Sequence, residues 1–156
     1  MTRTRKNDSG EEIYSFGVSG ANHNAGIDVV ISQFRKTGEI YNIDARGGRR
    51  IFHEVFTLSD SDMLRIQNEF LYEALDFVGK KAARKYVELG YQTVYAVHFG
   101  KRPHIHFAIN AVSFADGYKW HARRTDIWQR EKMLNELLLE FANQVNPITS
   151  FEELYR

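Results

Sequence analysis

The sequence predicts an α+β fold: a central antiparallel sheet with two long helices packed on one face. Three observations carry that expectation. Residues 49–58, 91–99 and 104–114 are strand-like runs, rich in Val, Ile, Phe and Tyr and bounded by turn residues. Residues 61–89 and 125–145 place apolar side chains three and four apart over several turns, the period of an amphipathic helix. One such helix falls between strands and the other after the last of them, an order that suits a sheet covered on one side.

Taken in order, residues 1–12 are a polar stretch expected to form a flexible N-terminal arm. A short strand is expected at 13–19, and the Gly-Ala-Asn-His-Asn-Ala-Gly of 20–26 reads as a loop. The apolar run 27–34 fits a helix and a strand equally well. In the strand 49–58, Ile51, His53, Val55 and Thr57 share one face, with Phe52, Glu54, Phe56 and Leu58 on the other. Ser59-Asp60-Ser61-Asp62 then supplies N-cap candidates. Met63, Ile66, Phe70, Ala74, Phe77, Val78, Ala82 and Tyr86 follow at helical spacing, which predicts one long helix up to Gly90. A short turn with Gly100 and Pro103 joins the next two strands, and Asp116-Gly117 makes another turn. Thr125 caps the second helix, which carries Ile127, Leu134, Leu137, Leu138, Phe141 and Val145 and which Pro147 closes. The expected organisation is one domain over 13–147 with a C-terminal tail at 148–156.

The 156 residues, 43% hydrophobic and 26% charged, suit a single soluble globular domain and exclude a disordered or collagen-like chain. There is no Cys, so disulfides, thiolate zinc sites and cysteine nucleophiles are excluded, and any metal must be held by His, Asp or Glu. The sequence shows neither an apolar membrane span nor a signal peptide, which places it in the cytoplasm. The formal net charge of +1 hides an asymmetry: residues 77–130 hold ten basic groups against three acidic ones. Such a run predicts a basic face for a phosphate backbone.

The sharpest motif is His98-Phe-Gly-Lys-Arg-Pro-His104-Ile-His106-Phe-Ala-Ile-Asn110. Alternation along a strand puts His104, His106, Ala108 and Asn110 on one face and Ile105, Phe107 and Ile109 on the other, against the core. With a five-residue connection, 99–103, His98 pairs directly with His104 and three imidazoles converge; a four-residue loop turns His98 to the opposite face. Three neutral imidazoles with open coordination positions form a candidate divalent-metal site. It suits Mn or Zn, and Mg where substrate phosphates contribute.

This motif, continuing into Ala-Val-Ser-Phe and Asp116-Gly117-Tyr118-Lys119-Trp120-His121, resembles the third motif of the relaxase/mobilisation nucleases, which belong to the His-hydrophobic-His endonucleases. The resemblance covers about residues 45–147. It implies a relaxase-like sheet with a three-histidine metal site. It also implies a reaction in which a tyrosine attacks a phosphodiester of single-stranded DNA at the transfer origin of a plasmid or integrative element. One strand is nicked, with a 5′-phosphotyrosyl link and a free 3′-hydroxyl, in conjugative mobilisation, and other relaxosome proteins are implied partners. The residues suit that chemistry. His98, His104 and His106 are the expected metal ligands; Lys101, Arg102, Lys119, Arg123 and Arg124 the backbone contacts; Asn110 a hydrogen-bonding group; and Trp120 or Tyr118 a stacking platform for a base.

Family members place their tyrosine near the start of the domain. Arg5-Lys6-Asn7-Asp8-Ser9-Gly10 resembles what usually follows it, which puts the expected position at or before Met1. Within the chain Tyr14 is the candidate nucleophile, followed by Tyr41 and His23. Three functions stay open: an active small relaxase, a split relaxase that keeps its metal site and DNA face, and a single-stranded DNA-binding accessory module. The helix 125–145 contains no Tyr, which argues against a replication initiator built on the same fold.

Overall fold

A computed structural model of the chain describes residues 5–6, 12–22, 24 and 26–145. Five strands, β1 (Arg5–Lys6), β2 (Glu12–Ser19), β3 (Ile51–Thr57), β4 (Thr93–His98) and β5 (His104–Asn110), form one antiparallel sheet in the order β1-β2-β4-β5-β3. The helices are α1 (Ile27–Ile40), α2 (Ile43–Arg46), α3 (Asp60–Arg65), α4 (Leu71–Glu88) and α5 (Arg124–Val145). The α+β class and the pair of long helices on one face, α4 and α5, are as the sequence predicts.

The alternation of β5 divides the molecule. Ile105, Phe107 and Ile109 are fully buried and meet α4 and α5, whose own buried stripes include Leu75, Val78 and Ala82 on α4 and Leu137, Leu138 and Phe141 on α5. This face holds the main core, and burying so many Leu, Ile, Val and Phe side chains is the dominant stabilising term. The two helices also meet each other through the Phe77 and Phe141 rings, 5.4 Å apart, and the Lys81–Glu140 ion pair at 2.7 Å.

Four findings go beyond the periodicity or correct it. The run 27–34 is helical, within a longer α1 that lies on the opposite sheet face, where the Asn110 Nδ2 donates to the Phe34 carbonyl at 3.1 Å. The helix expected over 61–89 is broken. Ile66 (φ −104°, ψ 130°) and Gln67 (φ −59°, ψ 140°) are extended, which drops the Ile66 side chain into the core at 1% exposure. Ile66 also fits the three-to-four spacing, so the break leaves no mark in the pattern. A capping box between Ser59 and Asp62 opens α3 as expected. At the start of α5 the Asp126 carboxylate, rather than Thr125, caps the turn by accepting from the Arg123 backbone N–H at 3.1 Å. Of the expected arm 1–12, Arg5 and Lys6 pair with Ile13 and Glu12, and Glu12 opens β2. Residues 1–4 and 7–11, Pro147 and the tail 148–156 lie outside the described residues.

Tyr95 of β4 shows how closely α4 approaches the sheet. Its ring lies between Gly79 of α4 and Gly17 of β2: a Cβ at Gly79 would fall 2.5 Å from Tyr95 Cδ2, and one at Gly17 2.4 Å from Cε1. The Tyr95 hydroxyl donates to Asp76 Oδ1 at 3.0 Å, and the same carboxylate accepts from Ser15 Oγ at 2.6 Å. Gly79→Ala therefore has two opposed effects. Helix propensity favours it by about 1 kcal/mol. Overpacking against a ring that cannot retreat costs about 1–3 kcal/mol, and this is expected to win. A lower urea midpoint is the expected result, and a higher one would show that the Tyr95 cage yields.

Candidate metal centre

His98 ends β4 and His104 opens β5. They are direct partners across the hairpin, so the connection is the five residues 99–103 and the register is the one that brings three imidazoles together. His106 follows two residues on, opposite Ala96. Ring centroids are 5.3 Å apart for His98 and His104, 4.3 Å for His98 and His106 and 4.9 Å for His104 and His106. One donor nitrogen from each ring lies within 4.8 Å of the others. His98 is buried and the other two are half-buried.

The hairpin turn is tied down by Arg102. Its guanidinium donates to the Leu58 carbonyl at 3.2 Å and pairs with Asp60 at 2.7 Å, joining the turn to the end of β3 and the start of α3. The Arg102 carbonyl in turn lies 2.9 Å from His104 Nδ1. A carbonyl oxygen only accepts, so Nδ1 carries a proton, and in the neutral ring this leaves the Nε2 lone pair as the one a cation would use. A ring nitrogen donating to a backbone carbonyl while the other faces the cluster is the arrangement a ligating histidine needs. The donor set fits a divalent transition metal.

The structure does not bring every expected site residue to this cluster. Tyr14 stands apart because of a bulge: Ile13 pairs with His98 and Ser15 with Val97, so the register shifts between them. Regular alternation back from Phe16, which pairs with Ala96 on the histidine face, would put Tyr14 on that face too. The bulge instead turns it to the α4 side, where its ring packs 5.3 Å from Tyr72 and 5.6 Å from Phe99. Burial, then the nearby Glu73 and Asp76 carboxylates, push its phenol above the usual tyrosine value, the opposite of what a nucleophile requires. Tyr41 donates to the Phe114 carbonyl at 3.0 Å, and His23 lies outside the described residues.

Two expected DNA contacts are corrected. Trp120 is buried at 6% exposure, edge-to-face with Tyr86 and Tyr91; its indole donates to Glu54 and Arg130 covers its ring at 4.5 Å. No face is left for a base. Asn110 does share the histidine face but sits at the far end of β5, buried, with Nδ2 donating to Phe34 O and to Gln92 Oε1 at 2.9 Å. It anchors α1.

The basic run also disperses. Lys101 and Arg102 are exposed at the hairpin turn beside the imidazoles. Lys81 is on the helical layer, and Lys119 donates to the Gly47 carbonyl at 2.7 Å beyond the other end of β5. Arg123 pairs with Asp126 at 3.0 Å, and Arg124 is exposed at the start of α5. Tyr118, the other stacking candidate, is 70% exposed.

One residue of the cluster was missed. His53 of β3 lies on the same face, with its Nε2 2.6 Å from His106 Nδ1. Alternation alone gave its face, but only the pairing of β3 with β5, distant in sequence, brings it to His106.

An antiparallel sheet with convergent histidines on one face and long helices on the other is the arrangement that the resemblance to the relaxase/mobilisation nucleases implies. Residues 3–142 match the family model described as Relaxase: MobA/VirD2-like, nuclease domain, and the chain belongs to that family of DNA-nicking nucleases. The match starts well before residue 45, so β2 and α1 fall within it as well. No curated protein and no solved structure matches the chain. Among the described residues, no helix is long and apolar enough to cross a membrane.

Proposed function

We propose that this chain is a metal-dependent, single-strand DNA nuclease of the relaxase type. In this reading it acts in the cytoplasm at the transfer origin of a mobile element, through one domain spanning 13–147. The observation that carries it is the convergence of His98, His104 and His106 on the open end of the sheet face. These three residues would hold a divalent cation, with Mn, Mg and Zn as candidates. Held there, a cation would supply Lewis-acid stabilisation of the charge that builds on the oxygens of a scissile phosphate. The protein's own groups do the positioning. The Arg102 carbonyl fixes the His104 tautomer, and the Arg102–Asp60 pair holds the turn. Lys101, exposed on that turn, is proposed to meet a phosphate of the incoming strand. Arg124 and Tyr118 are proposed as more distant contacts to the strand.

A second reading, an accessory module that binds single-stranded DNA without forming a covalent link, is favoured by the packing of Tyr14 against Tyr72 and Phe99. One experiment separates the two. The chain is incubated with Mn and single-stranded oligonucleotides that tile the DNA flanking its own coding sequence, then resolved on a denaturing gel. The nuclease reading expects Mn-dependent cleavage that His104→Ala removes. An adduct that survives denaturation and is lost in Tyr14→Phe would require β2 to shift and would restore Tyr14 as nucleophile. Binding without cleavage, unchanged by Mn, selects the accessory reading.

A further inference from the structure

We propose that His53 is a positioning residue that holds His106 in the orientation and tautomer needed to bind metal; this rests on the metal reading above. His53 pairs with Ala108 and His106 with Val55 across the β3–β5 ladder, so the two histidines are diagonal neighbours on one face. Their planes are within 10° of parallel and their centroids are 4.9 Å apart, which fits either a face-to-face stack or two rings laid edge to edge in one plane. The Nε2···Nδ1 distance of 2.6 Å decides between them. It is shorter than the roughly 3.5 Å at which ring faces meet, so the rings lie edge to edge, joined by an N–H···N hydrogen bond.

In such a bond one ring donates and the other accepts. If His106 turns its Nε2 to the cluster, its proton sits on Nδ1 and His53 Nε2 accepts it. The pattern repeats the His104 arrangement, with a side chain in place of the Arg102 carbonyl. Both β5 ligands are thus held from outside the cluster, and His53 is the holder that a substitution can remove. Outer partners of this kind fix ring orientation and raise ligand basicity, and losing one typically weakens metal affinity about 10- to 100-fold.

The test uses two variants on the full chain. His53→Phe keeps a flat ring but has no acceptor, and His53→Gln keeps an acceptor oxygen. Mn affinity is measured by calorimetry, the Co(II) visible spectrum reports the ligand set, and ¹⁵N shifts of the His106 ring report its tautomer in the metal-free protein. His53 is exposed, so the metal-free melting temperature should hold in both variants. The expected result is about a 10- to 100-fold weaker Mn affinity in His53→Phe, with loss of the Nδ1–H tautomer, and substantial recovery of both in His53→Gln. Wild-type affinity and tautomer in His53→Phe would overturn the inference while leaving the metal reading intact. Equal loss in both variants with a changed Co(II) spectrum would make His53 a ligand and likewise overturn it. A wild type that binds no metal removes the metal reading, and this inference with it.

Discussion

His104→Ala and His106→Ala are expected to abolish divalent-metal binding while leaving the fold intact. Wild-type protein titrated with Mn or Zn should take up about one equivalent, as a single three-imidazole site would. Each variant leaves two donors on a half-buried face, too few to displace the hydration shell of a divalent ion. The same contrast should appear in thermal melts. A ligand present at about 100 times its dissociation constant stabilises the native state by about 2.7 kcal/mol. Mn should therefore raise the wild-type melting temperature and leave that of either variant unchanged, and a chelator should reverse the rise. Both imidazoles lie on the face opposite the main core, so the metal-free melting temperatures should stay close to wild type. A wild type that takes up no Mn or Zn, even with single-stranded DNA present, would end the metal reading and leave the accessory one.

Phe107→Ala is expected to do the reverse, removing stability without touching a ligand. Phe107 is 1% exposed and packs edge-to-face on Tyr86, with centroids 5.8 Å apart, in the layer that joins β5 to α4 and α5. Truncating a buried Phe costs about 3–5 kcal/mol through lost transfer energy and the cavity left behind. Domains of this kind have only about 5–15 kcal/mol in hand, so the urea midpoint should fall steeply. A loss below about 1 kcal/mol would show that the sheet does not depend on this layer. Residues 106 and 107 are adjacent, and their opposite expected phenotypes test the alternation that separates chemistry from core on this strand.

Much of the site was legible in the sequence because it is local. Seven residues of β5 alternate strictly, and a five-residue connection fixes the His98–His104 register, so hairpin geometry alone converges three rings. The amphipathic stripes of α4 and α5 are equally local, as is the capping box that opens α3.

What the tertiary structure decided depends on pairings between distant segments. The bulge at Tyr14 inserts one residue and takes that side chain off the face that plain alternation assigns it. Ile66 departs from the helix because a buried site below accepts it, a reward that no periodicity encodes. Trp120 and the basic run read as surface features until Glu54 and Arg130, from a strand and a helix far apart in the chain, enclose the indole. His53 meets His106 only because β3 closes the sheet beside β5. The sequence by itself determined the class of fold and the shared face of His104 and His106, since spacing along a strand is fixed by backbone geometry, while the pairing of His98 with His104 decided that the third imidazole joins them. That Tyr14 leaves the histidine face and that a fourth histidine, His53, joins it was decided by long-range packing, where side-chain burial and strand order outweigh any local preference.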